Sequence, residues 1–276
     1  MQPVDLVLLN SIVLCPRCRG ELTFDEGALA WSCSTCTAHF ESRAETPNFL
    51  LSQPLEVDVP CVIGADDGVD DSAFTASPPE LLVPNAVRRE AIALDFGCGA
   101  QVDRSVIEAA GYRYVGIDAG DPGAHILADG QRLPFRAETF DLVYTMATLE
   151  HVRYPPLAIG EISRVLRPGG HLVGASGWTL PYVERAYFSS SHVGLASLLV
   201  EAGLEPTCIW GDSDWPGIQA HFALGLFPRT PDWISKVLAW PLKRLSFIWW
   251  RLGGRTRREL ELRTAGELMF HARKPD

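Results

Sequence analysis

At 276 residues, 47% hydrophobic and 21% charged, the chain has material for one large domain plus a small one around a buried core. That excludes an intrinsically disordered chain and a minimal disulfide scaffold. The net charge of −10 is uneven: residues 1–228 hold 13 basic and 29 acidic side chains and residues 229–276 hold 11 and 5, so an anionic partner meets the C-terminal end.

Residues 1–51 carry the first motif. Of seven cysteines, four fall in two pairs, Cys15-Pro-Arg-Cys18 and Cys33-Ser-Thr-Cys36, with strand-like ELTF and ALAWS between the knuckles. Fourteen residues between the pairs let four thiolates close a tetrahedral zinc site, and a segment with so small a core needs that staple. Cys15, Cys18, Cys33 and Cys36 fill the shell, so the zinc is structural and His39 is left outside it. An odd cysteine count with paired knuckles fits metal binding in a reducing compartment, and the expected location is cytoplasmic. The apolar start lacks a basic leader and contains Asp5, which argues against a signal peptide. Uncharged runs such as 186–200 fall short of the roughly 18 residues that a bilayer core needs.

Residues 52–87 are acidic and proline-rich and read as a linker or flap. From residue 88 to 212, strand-like runs alternate with helical patterns, the rhythm of an α/β domain with a parallel sheet. AIALDF is a strand ending at a glycine turn; VDRSVIEAAG is a helix closed by Gly111; RYVGID, HILAD and FDLVYTM are strands. PPLAIGEISRVLRPGG is a helix with proline at its start, HLVGAS a strand, SSHVGLASLLVEAG a helix capped by Ser190 or Ser191, and TCIWG a strand.

The glycine turn, Leu94-Asp95-Phe96-Gly97-Cys98-Gly99, opens toward a helix N-terminus. A dinucleotide fingerprint places a third glycine where Val102 stands, which weakens a nicotinamide or flavin reading. Asp118 closes the second strand, Asp129 begins Asp-Gly-Gln-Arg-Leu-Pro-Phe, the fourth strand runs into Leu149-Glu150-His151-Val152, and Arg167-Pro168-Gly169-Gly170 precedes the fifth.

With these features in this order, residues 88–212 resemble the class I S-adenosylmethionine-dependent methyltransferases of the type 11 group. The resemblance implies an α/β fold with a Rossmann-like seven-stranded sheet, the closing strand lying in 264–276. It implies that Asp95 engages the methionyl ammonium of S-adenosylmethionine directly or through water, that Gly97 and Gly99 make room for that end, and that Asp118 takes the ribose hydroxyls. Asp129 and the Gly130 backbone then meet the adenine, and Thr145 and Met146 line the methionine end. Only eleven positions separate Asp118 from Asp129, so the helix the family places there is missing, one wall of the adenine pocket is open or supplied by another segment, and the alternative for Asp129 is a solvated turn residue. The cysteine-bearing segment is similar to the small zinc-ribbon activator of RNA and protein methyltransferases and to the zinc module of a ribosomal RNA guanine methyltransferase.

Methyl transfer from a sulfonium is an in-line displacement whose leaving group needs no acid, so positioning dominates. Where the acceptor proton must be removed, His151 is the candidate base; its alternative is a structural histidine. Trp178, Tyr182, Tyr187 and His192 fall where the family builds acceptor contacts. Residues 213–263 are a Trp-rich basic insertion, or a tail if AHFALGLF is the closing strand. Within Asp232–Leu252, at about 100° per residue, Lys236, Lys243, Arg244 and Arg251 share an arc opposite Ile234, Val237, Leu238, Leu245, Ile248 and Leu252, and Pro241 is expected to kink the helix.

The leading expectation is a methyltransferase for a small or amphiphilic acceptor, peripheral at a membrane face through 232–252. The alternatives for that stretch are packing over the sheet or a dimer interface; the oligomeric state stays open. Second is a ribosomal or transfer RNA methyltransferase that grips RNA through exposed ribbon residues such as Arg17 and Arg19. Third is a non-catalytic scaffold of the same fold.

Overall fold

The computed structural model describes residues 5–43, 46–51, 72, 78–79, 82–180, 186–212, 217–226, 231–254 and 256–276. Among them the N-terminal module consists of helix α1 (Leu6–Ile12), capped by the Asp5 carboxylate, and an antiparallel sheet of β1 (Leu22–Asp25), β2 (Ala30–Cys33) and β3 (His39–Glu41). The two knuckles repeat one backbone device: the fourth residue after each first cysteine, Arg19 and Thr37, has a positive φ and donates its N–H to that cysteine's carbonyl.

The large sheet has seven strands. β4 (Ile92–Phe96), β5 (Arg113–Asp118), β6 (Ile126–Leu127), β7 (Phe140–Met146), β8 (Leu166–Gly177), β9 (Glu205–Gly211) and β10 (Glu267–Arg273) lie in the order β6-β5-β4-β7-β8-β10-β9. β4 to β8 pair in parallel, and β10 runs antiparallel between β8 and β9. β4 is buried along its whole length because both faces are covered: Ile92, Leu94 and Phe96 enter one core and Ala93 the other.

α2 (Arg104–Ala109) covers one face; α3 (Pro155–Val165) and α4 (His192–Glu201) cover the other. Ser191 caps α4, and Gly111 and Gly203 take the positive φ values that turn the chain after α2 and α4. The insertion is helical: α5 (Gly217–Ala220) with a π-helical turn His221–Leu226, α6 (Asp232–Leu252), and α7 (Arg257–Thr264), which a Thr256–Glu259 capping box starts. AHFALGLF is therefore no strand, and 213–263 precede the last strand. α6 continues through Pro241.

The ribbon and the sheet share one core, in which Leu9, Ile12, Trp31 and Phe49 join Leu133, Phe135 and Ile162. Polar contacts seal the junction. Arg19 pairs with Glu161 at 2.5 Å and donates to the Leu133 carbonyl; Arg132 donates to the Pro16 and Arg17 carbonyls; Arg136 pairs with Glu21. Arg19 is thus committed to the interface, which removes it from the exposed residues read as an RNA grip. Most of the 52–87 linker lies outside the described residues, but Val83 packs on the α2 side.

Candidate active site

Parallel strands direct their C-terminal ends to one edge, and a cleft of about 570 Å³ opens there over β5, β4 and β7. Its floor is the glycine turn after β4. Gly97 has φ +81°, and a Cβ on it would sit 2.3 Å from the Thr148 side chain. Gly99 has φ +46° and open space around its Cα; backbone conformation alone asks for glycine there. Gly130 has a different constraint: a Cβ would lie 2.2 Å from Cζ of Phe96, so the ring and the 129–131 turn fit only while that position is bare.

The sequence-predicted residues divide. Gly97, Asp118, Asp129, Gly130, Met146, His151 and Tyr187 all line the cleft. Asp118 accepts from the N–H of Gly99 at 3.2 Å, Gly120 at 2.8 Å and Asp121 at 2.9 Å, which ties the tip of β5 to the glycine turn. Asp129 is exposed at the lip and accepts from the Gln131 N–H at 2.9 Å, so it is a turn residue and a cleft residue together. His151 stands on a short 3-10 turn (Leu149–His151), and Tyr187, 59% exposed, is held beside it by its N–H donating to the Glu150 carbonyl at 2.7 Å.

Asp95 lies beneath the turn and does not line the cleft. It is 3% exposed and accepts from the Tyr114 hydroxyl at 2.7 Å. Burial pushes its carboxyl up to about 7 against the Tyr114 bond, and Asp103 and Asp118 add to the rise. Any contact with a ligand ammonium would therefore run through water or the loop.

Three expectations are corrected. Thr145 is fully buried, pointing to the face of Gly174 and away from the cleft, because neighbours along a strand face opposite ways and Met146 takes the cleft side. Trp178 donates its indole N–H to the Leu262 carbonyl at 3.1 Å and packs against α7's end of the core. His192 begins α4, within the field of Arg263, and burial lowers its pKa. Neither lines the cleft. Tyr182 lies outside the described residues.

Residues the sequence reading missed complete the walls. Phe96 and Thr148 back the two glycines, Gln131 braces the lip through Asp129 and the Tyr154 N–H, and Leu50 arrives from the ribbon side. Leu50 marks what replaces the missing helix. The stretch after the ribbon runs beside β6, with Phe49 donating to the Leu127 carbonyl at 2.8 Å and Leu127 to that of Pro47 at 2.9 Å.

Along the same edge Glu150, 3% exposed, meets Glu267 at the start of β10. Burial raises both, Glu267 to about 7 with Glu150 and Asp212 contributing. Beyond them a second cavity, about 420 Å³, is lined by Ile218, Trp240, Leu242, Phe247 and Leu260 together with Lys243 and Arg244.

Both implied groups fit the residues present. Two glycines that cannot carry a Cβ and a carboxylate at the tip of β5 suit a phosphate-free ligand with an amino-acid end, a ribose and a net positive charge. The sulfurs of Cys15, Cys18, Cys33 and Cys36 lie within 4.8 Å of one another, the span of a four-thiolate zinc site.

Residues 94–174 match the family model for a methyltransferase domain. An uncharacterised methyltransferase of Mycobacterium marinum is 34% identical over 102 residues, 31% of this chain and 40% of that protein. A mitochondrial arginine-hydroxylase of Mus musculus is 33% identical over 96 residues, 30% of this chain and 28% of that protein. The matched stretch thus spans less than half the length of these relatives. Among solved structures, a complex of the Haloferax volcanii Trm112 methyltransferase activator with a methyltransferase has a TM-score of 0.48 at 19% identity, covering 75% of this chain and 89% of that one.

Proposed function

On the premise that residues 94–174 are a methyltransferase domain, we propose that the chain is an S-adenosylmethionine-dependent methyltransferase acting on a small or amphiphilic acceptor. The observation that carries the reading is the cleft at the strand tips, with glycines whose Cβ positions are occupied by Thr148 and Phe96 and with Asp118 beside them.

S-adenosylmethionine, when bound, supplies an activated methyl group on a sulfonium. Asp118 holds the ribose while keeping the turn closed through Gly99; Asp129 and the Gly130 backbone take the adenine; Met146, Ala147 and Thr148 bound the methionine end. The carboxylates of Asp118 and Asp129 favour a net cation. His151 removes the acceptor proton, and Tyr187 beside it orients the acceptor. Because the leaving group needs no proton, the chain's main contribution is to hold the acceptor in line and exclude water.

For the acceptor, the cavity farther along the same edge combines the apolar Ile218, Trp240, Leu242, Phe247 and Leu260 with the charged Asp212, Lys243, Arg244 and Glu261, a mixed lining that supports an amphiphilic substrate. The zinc site is structural, since four thiolates leave no open coordination position.

The test is transfer of a labelled methyl group from S-adenosylmethionine into extracts of the source cells, separated into organic-soluble, RNA and protein fractions. Label in the organic phase that Asp118→Ala abolishes supports the reading. Label in RNA overturns the acceptor class. Cofactor binding with no transfer to any fraction returns the scaffold alternative.

A further inference from the structure

In an ordinary surface helix the apolar arc packs inward. α6 does the reverse. At about 100° per residue, its buried residues, Ser235 and Ala239, fall on one side; Val237, 63% exposed, Ile248, 55%, and Leu252, 80%, lie across from them, and Leu245, 63%, and Trp249, 76%, carry the exposed apolar surface round toward the packed side. Leu238 completes the arc, and Trp233, at 68% exposure, flanks it. So large a contiguous apolar surface on the described residues marks an interaction site.

Charge identifies the occupant. Lys236, Lys243, Arg244 and Arg251 line one flank of the arc, against Asp232 as the helix's only acid, in a chain of net charge −10. Arg244 stacks over Trp240 at 5.4 Å, which keeps a cation beside an indole at the edge of the apolar face. A second copy of the chain meeting this face to face would bring two basic flanks together. An anionic bilayer would neutralise them while accepting the apolar arc, and tryptophan suits the depth between headgroup and acyl chain. No helix among the described residues is long and apolar enough to cross a membrane, so α6 would lie along the surface.

We propose that α6 is an interfacial helix that docks the protein onto an anionic lipid surface, with Val237, Leu245, Ile248, Trp249 and Leu252 immersed at the acyl boundary and the basic flank among the headgroups. This goes beyond the methyltransferase reading and stands or falls without it, because docking is read by binding alone.

The experiment uses the full zinc-loaded chain with vesicles of equimolar phosphatidylglycerol and phosphatidylcholine, and with phosphatidylcholine alone, by sedimentation. The expected result is binding to the anionic vesicles that weakens steeply at about 1 M salt, where the screening length falls to about 3 Å. Leu245→Ser with Trp249→Ser weakens it at least about tenfold through lost apolar burial. Arg251→Ser weakens it about fivefold. Melting temperature and circular dichroism, measured in parallel, stay unchanged in these variants and certify their fold. Vesicle binding equal in wild type and the Leu245/Trp249 variant overturns the proposal. So does a dimer that this variant dissociates while vesicles go unbound, or binding of polyuridylate in place of vesicles.

Discussion

Gly130 and Phe96 hold one end of the cleft together, and the sequence indicates only half of that pair. The motif places Gly130 where a backbone must approach a ligand; the structure adds that a side chain there would overlap the Phe96 ring at 2.2 Å. Gly130→Ala is therefore expected to weaken S-adenosylmethionine binding at least about tenfold by displacing that ring. Phe96→Leu in the same chain is expected to recover part of the loss, which a double-mutant cycle by calorimetry checks. Asp95 supplies a pH test. Its folded pKa, about 7, lies above the ordinary 3.8, so the folded chain holds an extra proton in that window. Its contribution to stability is full below about 4 and falls as pH rises through 7, while affinity for a cationic ligand rises over the same range. Titrations at about pH 6 and about pH 8 are expected to give tighter binding at the higher pH, with Tyr114→Phe moving the midpoint upward because a bond to the carboxylate is lost. Residue types and spacing singled out Asp118, Met146 and His151, which the fold brings to one cleft. Thr145 was misplaced although strand alternation forbids both it and Met146 from facing the cleft. Trp178 and His192 depend on contacts with α7 and Arg263, more than sixty positions away, which no local pattern contains.

At the scale of elements, the cysteine-bearing module packs beside the cleft, and the stretch that follows its last strand contributes Leu50 to the wall. Its knuckle spacing was legible, as was the absence of a helix between Asp118 and Asp129. What fills that gap was not, because the pairing of Phe49 with Leu127 and of Arg19 with Glu161 joins segments far apart in sequence. Withdrawal of zinc by a chelator, or Cys33→Ser, is expected to lower the melting temperature and S-adenosylmethionine affinity together, since Leu50 reaches the cleft from the ribbon. A loss of one without the other separates the two roles. Glu161 reports on the same junction. Burial opposes its charge, but Arg164 and Arg19 outweigh that and hold its pKa below the ordinary 4.5. Its stabilisation is present above that value and lost as pH falls through the lowered one. Glu161→Gln is expected to cost about 1–3 kcal/mol at neutral pH, and to flatten the acid limb of the melting-temperature profile.

Across the whole molecule, the order β6-β5-β4-β7-β8-β10-β9 puts the cleft, the Glu150–Glu267 pair and the second cavity on one edge. The alternation of strands and helices from residue 88 announced this sheet, and the distance from TCIWG to a closing strand in 264–276 announced an insertion. The charge division at residue 228 foretold a basic end. Periodicity could not say which side of α6 faces the protein, since an apolar arc ordinarily packs inward; the small Ser235 and Ala239 occupy the packed side. Whether the cleft at the strand tips holds S-adenosylmethionine is decided by equilibrium binding of the labelled compound to the zinc-loaded full chain and to Asp118→Ala. Saturable binding of one molecule per chain is expected, weakened by about tenfold or more when the Asp118 carboxylate and its hydrogen bonds are removed. Absence of saturable binding, or equal affinity in the two proteins, would contradict a cofactor site there.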